Sequence, residues 1–200
     1  MRKLSIIITT LFLLTCFAKT AEAQSPVNLG IKGGVNLANL SDSDADVRTG
    51  LIGGLAIDFG LPLMPLGIET GIYYSQKGLS NEANGATGTL KLDYLEVPLL
   101  AKFSLGPPGP ISPSFVIGPY AGYLLNSEYE GENEFGGGTI NFEDDTETVD
   151  FGLLAGVGVD FNLGLTKVNV QARYGYGLVD AFDDEDSKNR VLSITAGIMF

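Results

Sequence analysis

The segment Val149–Leu163 alternates between apolar residues and small or charged ones. Seven alternate positions from Val149 to Phe161 are apolar, and the positions between them include Asp150 and Asp160. A period of two predicts a β-strand whose two faces lie in different environments. Because a tilted strand of about 9–11 residues crosses a bilayer, the segment is long enough to span a membrane. The pattern therefore predicts one strand of a transmembrane barrel with a polar interior.

The same alternation recurs along the rest of the chain. The other predicted strands are Leu29–Ala38, Gly50–Leu61, Gly67–Gly78, Thr89–Phe103, Ser114–Asn126, Leu165–Leu178 and the terminal segment from Leu192 to Phe200. Short turns and long polar connections alternate between them, as the periplasmic turns and external loops of outer-membrane barrels do. The sequence predicts an all-β fold, an eight-stranded antiparallel up-and-down transmembrane β-barrel.

Two finer features accompany the strands. The predicted external loops are Ser41–Arg48, Leu79–Gly88, Ser127–Thr148 and Val179–Lys188. The alternation of the fourth strand changes phase before Tyr94, which predicts a β-bulge near Asp93 or Tyr94.

Aromatic residues on the apolar face predict two belts at the membrane interfaces. The belt beside the short turns contains Phe59, Phe103, Phe115, Phe161 and Phe200. The belt beside the long loops contains Tyr74, Tyr123, Phe151, Tyr174 and Tyr176.

The N-terminus has the pattern of a secretory signal peptide. Arg2 and Lys3 precede the apolar run Leu4–Ala18, and Ala21-Glu22-Ala23 is an A-x-A cleavage site. We expect residues 1–23 to be the signal peptide and residues 24–200 to be the outer-membrane β-barrel domain. A lipoprotein signal that ends at Cys16 is the alternative.

The amino-acid composition excludes several classes of function and of membrane anchor. The net charge is −12, which argues against a nucleic-acid partner. Cys16 is the single cysteine, so the mature chain has no thiol chemistry. After residue 23, no run of 18 apolar residues predicts a transmembrane helix.

The inward face carries five acidic and five basic residues. They are Lys32, Asp58, Glu69, Lys77, Glu96, Lys102, Asp150, Asp160, Lys167 and Arg173. An eight-stranded barrel has room only for side chains, and an unpaired buried charge is costly. We therefore expect a structural lumen charge network; a narrow ion path is the alternative. The turn at Asn162–Gly164 predicts that Arg173 lies nearer Asp150 than Asp160, and that Lys167 lies beside Asp160.

Three acidic blocks contain most of the carboxylates. Asp42, Asp44 and Asp46 are spaced like the start of a calcium loop, but Val47 and Gly53 replace its Gly and its distal Glu. We assign no metal ligand and no cofactor. The blocks are either solvated loops or weak sites for divalent ions that bridge to lipopolysaccharide phosphates.

The chain has no histidine, so a Ser–His or Cys–His pair cannot form. We predict no catalytic residues and a non-enzymatic integral outer-membrane protein with an anchoring or surface-interaction role through its acidic extracellular loops. An outer-membrane lipid-modifying enzyme and a soluble periplasmic ligand-binding barrel, whose apolar face would point inward, are the alternatives.

Several segments resemble the PorT-like outer-membrane β-barrel proteins of Bacteroidota. They are Gly30–Leu40, Gly71–Gly78, Tyr94–Phe103, Gly118–Leu125 and the terminal Phe200. The resemblance implies an eight-stranded barrel, residence in the outer membrane and insertion by the barrel-assembly machinery, with Phe200 in the insertion signal. We expect the partners of such a barrel to be outer-membrane lipid and lipopolysaccharide. It implies no single biochemical activity, and a protein partner is left open.

Overall fold

The computed structural model describes residues 27–40, 46–61, 64–83, 86–106, 109–133, 136–141, 148–182 and 185–200. They form the strands β1 (Val27–Leu40), β2 (Asp46–Gly60), β3 (Leu66–Ala83), β4 (Ala86–Ser104), β5 (Ile111–Asn133), β6 (Gly136–Asn141), β7 (Val149–Asn162), β8 (Lys167–Phe182) and β9 (Glu185–Met199). No helix in these ranges is long and apolar enough to cross a membrane.

Eight of the nine strands close into an antiparallel barrel, in the order β4-β3-β2-β1-β9-β8-β7-β5 with β4 paired to β5. The strand β1 also bonds to the last residue of the chain, through Leu29 and Phe200. The backbone N–H of Leu29 donates to the carbonyl of Phe200 at 3.0 Å, and the carbonyl of Leu29 accepts the return bond at 2.7 Å. Closure leaves no unpaired edge around the barrel wall, which is what a sheet in a bilayer requires. The predicted eight-stranded fold is confirmed.

The two faces of the strands divide as the alternation predicts. Ile31 and Val157 point outward and are each 60% exposed, whereas their chain neighbours Lys32 and Gly158 are buried in the interior. An apolar exterior around a charged interior is the reverse of a soluble ligand-binding barrel.

The two predicted aromatic belts lie on the outward face. Phe103 and Phe115 belong to the belt beside the short turns, with ring centroids 6.4 Å apart. Tyr74 and Tyr123 belong to the opposite belt and are also exposed. At the short-turn end, Gly164 adopts a φ of +86°, which favours glycine, between β7 and β8.

The predicted long loops are shorter in the structure because the strands continue beyond the aromatic belt that lies beside these loops. The interpretation of Leu79–Gly88 as a loop is wrong, since β3 and β4 remain paired from Leu79↔Leu90 to Ala83↔Ala86. Likewise, β6 lies within the segment interpreted as the third loop and pairs with the end of β5. Main-chain hydrogen bonds between adjacent strands do not depend on the side chains, so the ladder persists there without the outward apolar positions that lipid requires.

The β4–β5 pairing shifts register opposite Asp93 and Tyr94, at the predicted bulge. The extra residue is Leu125 on β5, because Asp93 pairs with Asn126 and Tyr94 pairs with Leu124. The β4 strand itself keeps an unbroken register with β3 through this region.

Some predictions lie outside the described residues. These are the signal peptide over residues 1–23 and the first part of the calcium-like series, Asp42 and Asp44.

Candidate functional site

All ten residues of the predicted lumen charge network point into the barrel. Nine of them are buried, and the side chain of Lys167 is 16% exposed near the short-turn end. The structure divides them into two groups. The basal cluster contains Lys32, Asp58, Glu69, Lys102, Asp160, Lys167 and Arg173. The apical cluster contains Lys77, Glu96 and Asp150.

Lys102 is the centre of the basal cluster. Its Nζ lies 2.9 Å from Oδ2 of Asp58, 2.8 Å from Oδ2 of Asp160 and 3.8 Å from Oε2 of Glu69. These carboxylates come from β2, β7 and β3. Of these strands only β3 is a neighbour of β4 in the wall, so the ammonium group of Lys102 also connects β4 to the two more distant strands β2 and β7. Three carboxylates around one cation recover part of the large cost of burying each charge.

Two further lysines complete the pairing at this end. Lys167 Nζ lies 2.6 Å from Oδ2 of Asp58 and 3.9 Å from Oδ2 of Asp160. Lys32 Nζ donates to Oε1 of Glu69 at 2.7 Å. Lys167 is thus beside Asp160, as expected from the turn, although Asp58 is nearer.

The apical cluster surrounds Lys77. Its Nζ lies 2.7 Å from Oε2 of Glu96 and 2.9 Å from Oδ2 of Asp150, and 4.3 Å from the ring centroid of Tyr120. The Tyr120 hydroxyl and the Asn189 side-chain amide both donate to Oδ2 of Asp150, each at 3.1 Å. Neutral donors therefore supplement the ion pairs.

The expectation that Arg173 lies nearer Asp150 than Asp160 is wrong, because Arg173 pairs with Gly156, six residues from Asp150 and four from Asp160. Arg173 Nη1 lies 4.0 Å from Oε1 of Glu69, and its guanidinium lies 5.4 Å from the ring centroid of Tyr73. Arg173 is 1% exposed, and none of its three guanidinium nitrogens has a hydrogen-bond partner among the described residues. Alternation along a strand fixes the face of a residue, whereas contacts across the lumen depend on the stagger of the strands.

Glycines in the wall make room for the large interior side chains. A β-carbon at Gly156 would lie 2.9 Å from Cγ of Arg173, and one at Gly71 would lie 2.7 Å from Cε2 of Tyr73. Both distances are shorter than real contacts of this kind. The inward glycines therefore let a narrow barrel hold an arginine and several tyrosines.

An apolar cluster, here called the apolar cap, lies in the barrel on the extracellular side of the apical cluster. It consists of the buried Leu90, Leu92 and Tyr94, with Leu79 and Leu124 packed against them. Sequence reasoning missed this cap because apolar residues at inward positions of β4 were interpreted as a shift of the inward and outward positions along the strand. The alternation itself would have placed them correctly, since Leu90, Leu92 and Tyr94 are each two residues apart and continue the inward series that includes Glu96.

Sequence reasoning also missed Asn189 as a partner of the apical cluster. Asn189 lies just before the predicted last strand, but it occupies the same inward phase as Ser193 and Thr195. Extending the alternation of that strand backwards would have found it. No group of three potential metal-binding side chains is found within the part of the chain that the structure describes.

A closed antiparallel barrel with an apolar exterior and two aromatic belts defines an integral outer-membrane β-barrel protein. The family described as outer membrane protein beta-barrel domain matches residues 20–183. The chain belongs to this family and resides in the outer membrane.

A solved structure shows the same fold. Neisserial surface protein A aligns with a TM-score of 0.54 at 12% identity, over 88% of this chain and 96% of that one. Two further structures align with lower scores. A major outer membrane protein from Thermus thermophilus aligns at 0.49 and 12% identity, over 87% and 98% of the two chains. Ail, the attachment invasion locus protein of Yersinia pestis, aligns at 0.46 and 16% identity, over 86% and 98%. No curated protein matches the chain.

Proposed function

We propose that this chain is a non-enzymatic outer-membrane protein with an anchoring or surface-interaction role at its extracellular end. The observation that carries the proposal is the filled lumen. Ion pairs occupy the barrel interior, and the apolar cap of Leu79, Leu90, Leu92, Tyr94 and Leu124 closes it above. The surface beyond the membrane is then where a partner can be contacted.

The chemistry of the interior supports a structural role for its charges. Lys77 and Lys102 each lie within 3 Å of two carboxylates, so these carboxylates are neutralised by cations instead of being poised as an acid and a base. With no histidine in the chain, a serine nucleophile has no imidazole base.

The extracellular surface is acidic, and the proposal assigns the contact to it. Sixteen of the 24 acidic residues fall in three blocks at 41–46, 128–147 and 180–186. On β5 beyond the belt, Glu130 is 46% exposed and forms an ion pair with Lys91. We also propose the finer assignment to the PorT-like proteins of Bacteroidota, with insertion by the barrel-assembly machinery and lipopolysaccharide around the wall.

The test is chemical crosslinking in intact cells, followed by capture of the affinity-tagged protein from the outer membrane. The comparison variant replaces residues 128–147, which contain the extracellular end of β5 and the strand β6, with a short turn. Heat-modifiable migration checks that its barrel folds. We expect a crosslinked protein that depends on this segment. An identical set of crosslinked products from both proteins would contradict the proposed contact surface.

The enzyme alternative is tested separately. Purified folded protein is incubated with outer-membrane phospholipid and lipopolysaccharide, and the lipids are analysed by mass spectrometry. We expect unchanged lipids. A cleaved or acyl-transferred product that requires folded protein would overturn the non-enzymatic assignment.

A further inference from the structure

The strand β6 ends the part of the sheet that continues above the barrel. Among the described strands it has one neighbour, β5, to which it pairs from Glu128↔Asn141 to Asn133↔Gly136. In an antiparallel ladder, alternate residues direct their N–H and C=O groups to opposite sides. About half of the backbone groups of Gly136–Asn141 therefore point away from β5, where they can pair with another extended chain.

The sequence of β6 lacks the two residue types that most often protect the edge of a sheet. Gly136–Asn141 contains neither lysine nor proline, the residues that most often block edge-to-edge pairing. Three of its six residues are consecutive glycines, which offer no side chain to obstruct the approach of a second backbone. By contrast, each barrel strand has a neighbour on both sides.

Charge indicates which kind of chain fits this edge. Residues 103–166 contain no lysine or arginine and ten acidic residues, of which only Asp150 and Asp160 belong to the lumen charge network. On the adjacent strand β5, Glu130 forms an ion pair with Lys91 of β4, and Glu128 is partly exposed opposite the same lysine in register. A second copy of this chain would bring like charges together, whereas a basic segment is complementary.

We infer that the edge of β6 that faces away from β5 accepts an extended, basic polypeptide segment of another protein by strand addition. Main-chain hydrogen bonds hold such a segment in register, and the carboxylates that flank β6 in the sequence select for positive charge. This inference rests on the proposed surface-interaction function and names the class of its partner.

The probe is a fluorescent eight-residue peptide in which lysine alternates with threonine or valine. Binding to the full-length protein in neutral detergent micelles is followed by fluorescence anisotropy. One control peptide replaces every lysine with glutamate. The other replaces every threonine and valine with proline, which keeps the charge but cannot sustain a ladder. We expect the first peptide to bind at least about tenfold more tightly than either control.

The protein variants are Thr139→Pro and Ile140→Pro. Because alternate residues face opposite sides, one of these two adjacent changes removes an N–H that points away from β5. The strand β6 lies outside the barrel wall, so heat-modifiable migration should be unchanged in both. We expect at least one variant to weaken peptide binding about tenfold, and Glu128→Gln to weaken it less and to reduce its salt dependence.

Equal binding of the proline-containing peptide would overturn strand addition in favour of simple charge attraction. Undetectable binding of the lysine–threonine–valine peptide, or wild-type dimers that both proline variants abolish, would overturn it as well. A cellular crosslinked partner that survives both proline variants but not the replacement of residues 128–147 would overturn the strand-addition inference and leave the proposed function standing.

Discussion

Lys102 is the residue on which the interior charges converge. Its ammonium group touches Asp58 and Asp160 and lies near Glu69, so it offsets repulsion among three buried carboxylates. Arg173 differs, because its nearest carboxylate oxygen is 4.0 Å away and its nitrogens have no hydrogen-bond partner in the described ranges. Two buried cations in one cluster therefore contribute unequally to stability.

We predict that Lys102→Met lowers the free energy of unfolding by about 3–5 kcal/mol, since it leaves buried carboxylates without their cation. Arg173→Met should cost less. The measurement is urea unfolding of the refolded protein in lipid vesicles, followed by tyrosine fluorescence and by the folded band in electrophoresis. Arg190→Met is the exposed control and should change stability by less than about 1 kcal/mol. Equal losses for Lys102→Met and Arg173→Met would contradict this ranking.

The inward face of each charged residue could be predicted from the sequence, whereas its partner could not. Asp150 and Arg173 have the expected orientation on neighbouring strands, yet Asp150 contacts Lys77 and Arg173 contacts Glu69. The shear of the closed sheet decides which side chains meet across the lumen, and a period of two carries no information about it.

At the scale of elements, β7 shows how one strand serves two environments. Val157 is 60% exposed on the apolar exterior, while the glycines on its inward side lie against Arg173 and Gln171 of β8. Each face tolerates a different kind of substitution, and each can be tested by itself.

Val157→Arg should destabilise the barrel by about 2–4 kcal/mol, because arginine near the bilayer midplane is poorly solvated. Urea unfolding in vesicles measures the effect. Val47→Arg is the matched control. Val47 is also exposed, but it pairs with Leu79, which lies five residues beyond Tyr74 of the extracellular aromatic belt, so an arginine there reaches water. An unfolding midpoint for Val157→Arg that equals the wild-type value would mean that the faces of β7 are reversed.

Gly156→Ala should destabilise through crowding, by about 1–3 kcal/mol. The added methyl would lie 2.9 Å from Cα and Cγ of Arg173, and the backbone atom cannot move aside as a flexible chain end can. Gly33→Ala is the control, since its nearest neighbour would be the carbonyl oxygen of Ile52 at 3.7 Å. The same urea unfolding assay compares the two variants. Equal stability would show that the barrel wall can accommodate a methyl group at Gly156.

The existence and type of the barrel strands could be predicted, but their extracellular ends could not. Amphipathic alternation marks the part of a strand that lies between lipid and lumen. The end of β5 beyond Asn126 and the whole of β6 lack that contrast in their sequences, which are rich in glycine and polar residues. The apolar cap was missed for the opposite reason, since inward leucines on β4 contradict the rule that the interior is polar.

At the scale of the whole molecule, charge is balanced inside and strongly negative outside. The ten residues of the lumen charge network include five acids and five bases, whereas the full chain has a net charge of −12. The excess negative charge therefore lies outside this network. The balanced charges of the network stabilise the closed barrel, and the proposed function assigns the excess negative charge to the extracellular surface.

Single-channel recording of the refolded protein in planar lipid bilayers tests the central claim, a sealed lumen, most directly. The salt bridges of the basal and apical clusters and the apolar cap above them fill the barrel that the described strands enclose. We predict insertion, verified by heat-modifiable migration of the same sample, without steady conductance at any applied voltage that the bilayer withstands. A stable open channel of reproducible conductance would mean that the lumen is hydrated and continuous, and would contradict the structural role of its charges.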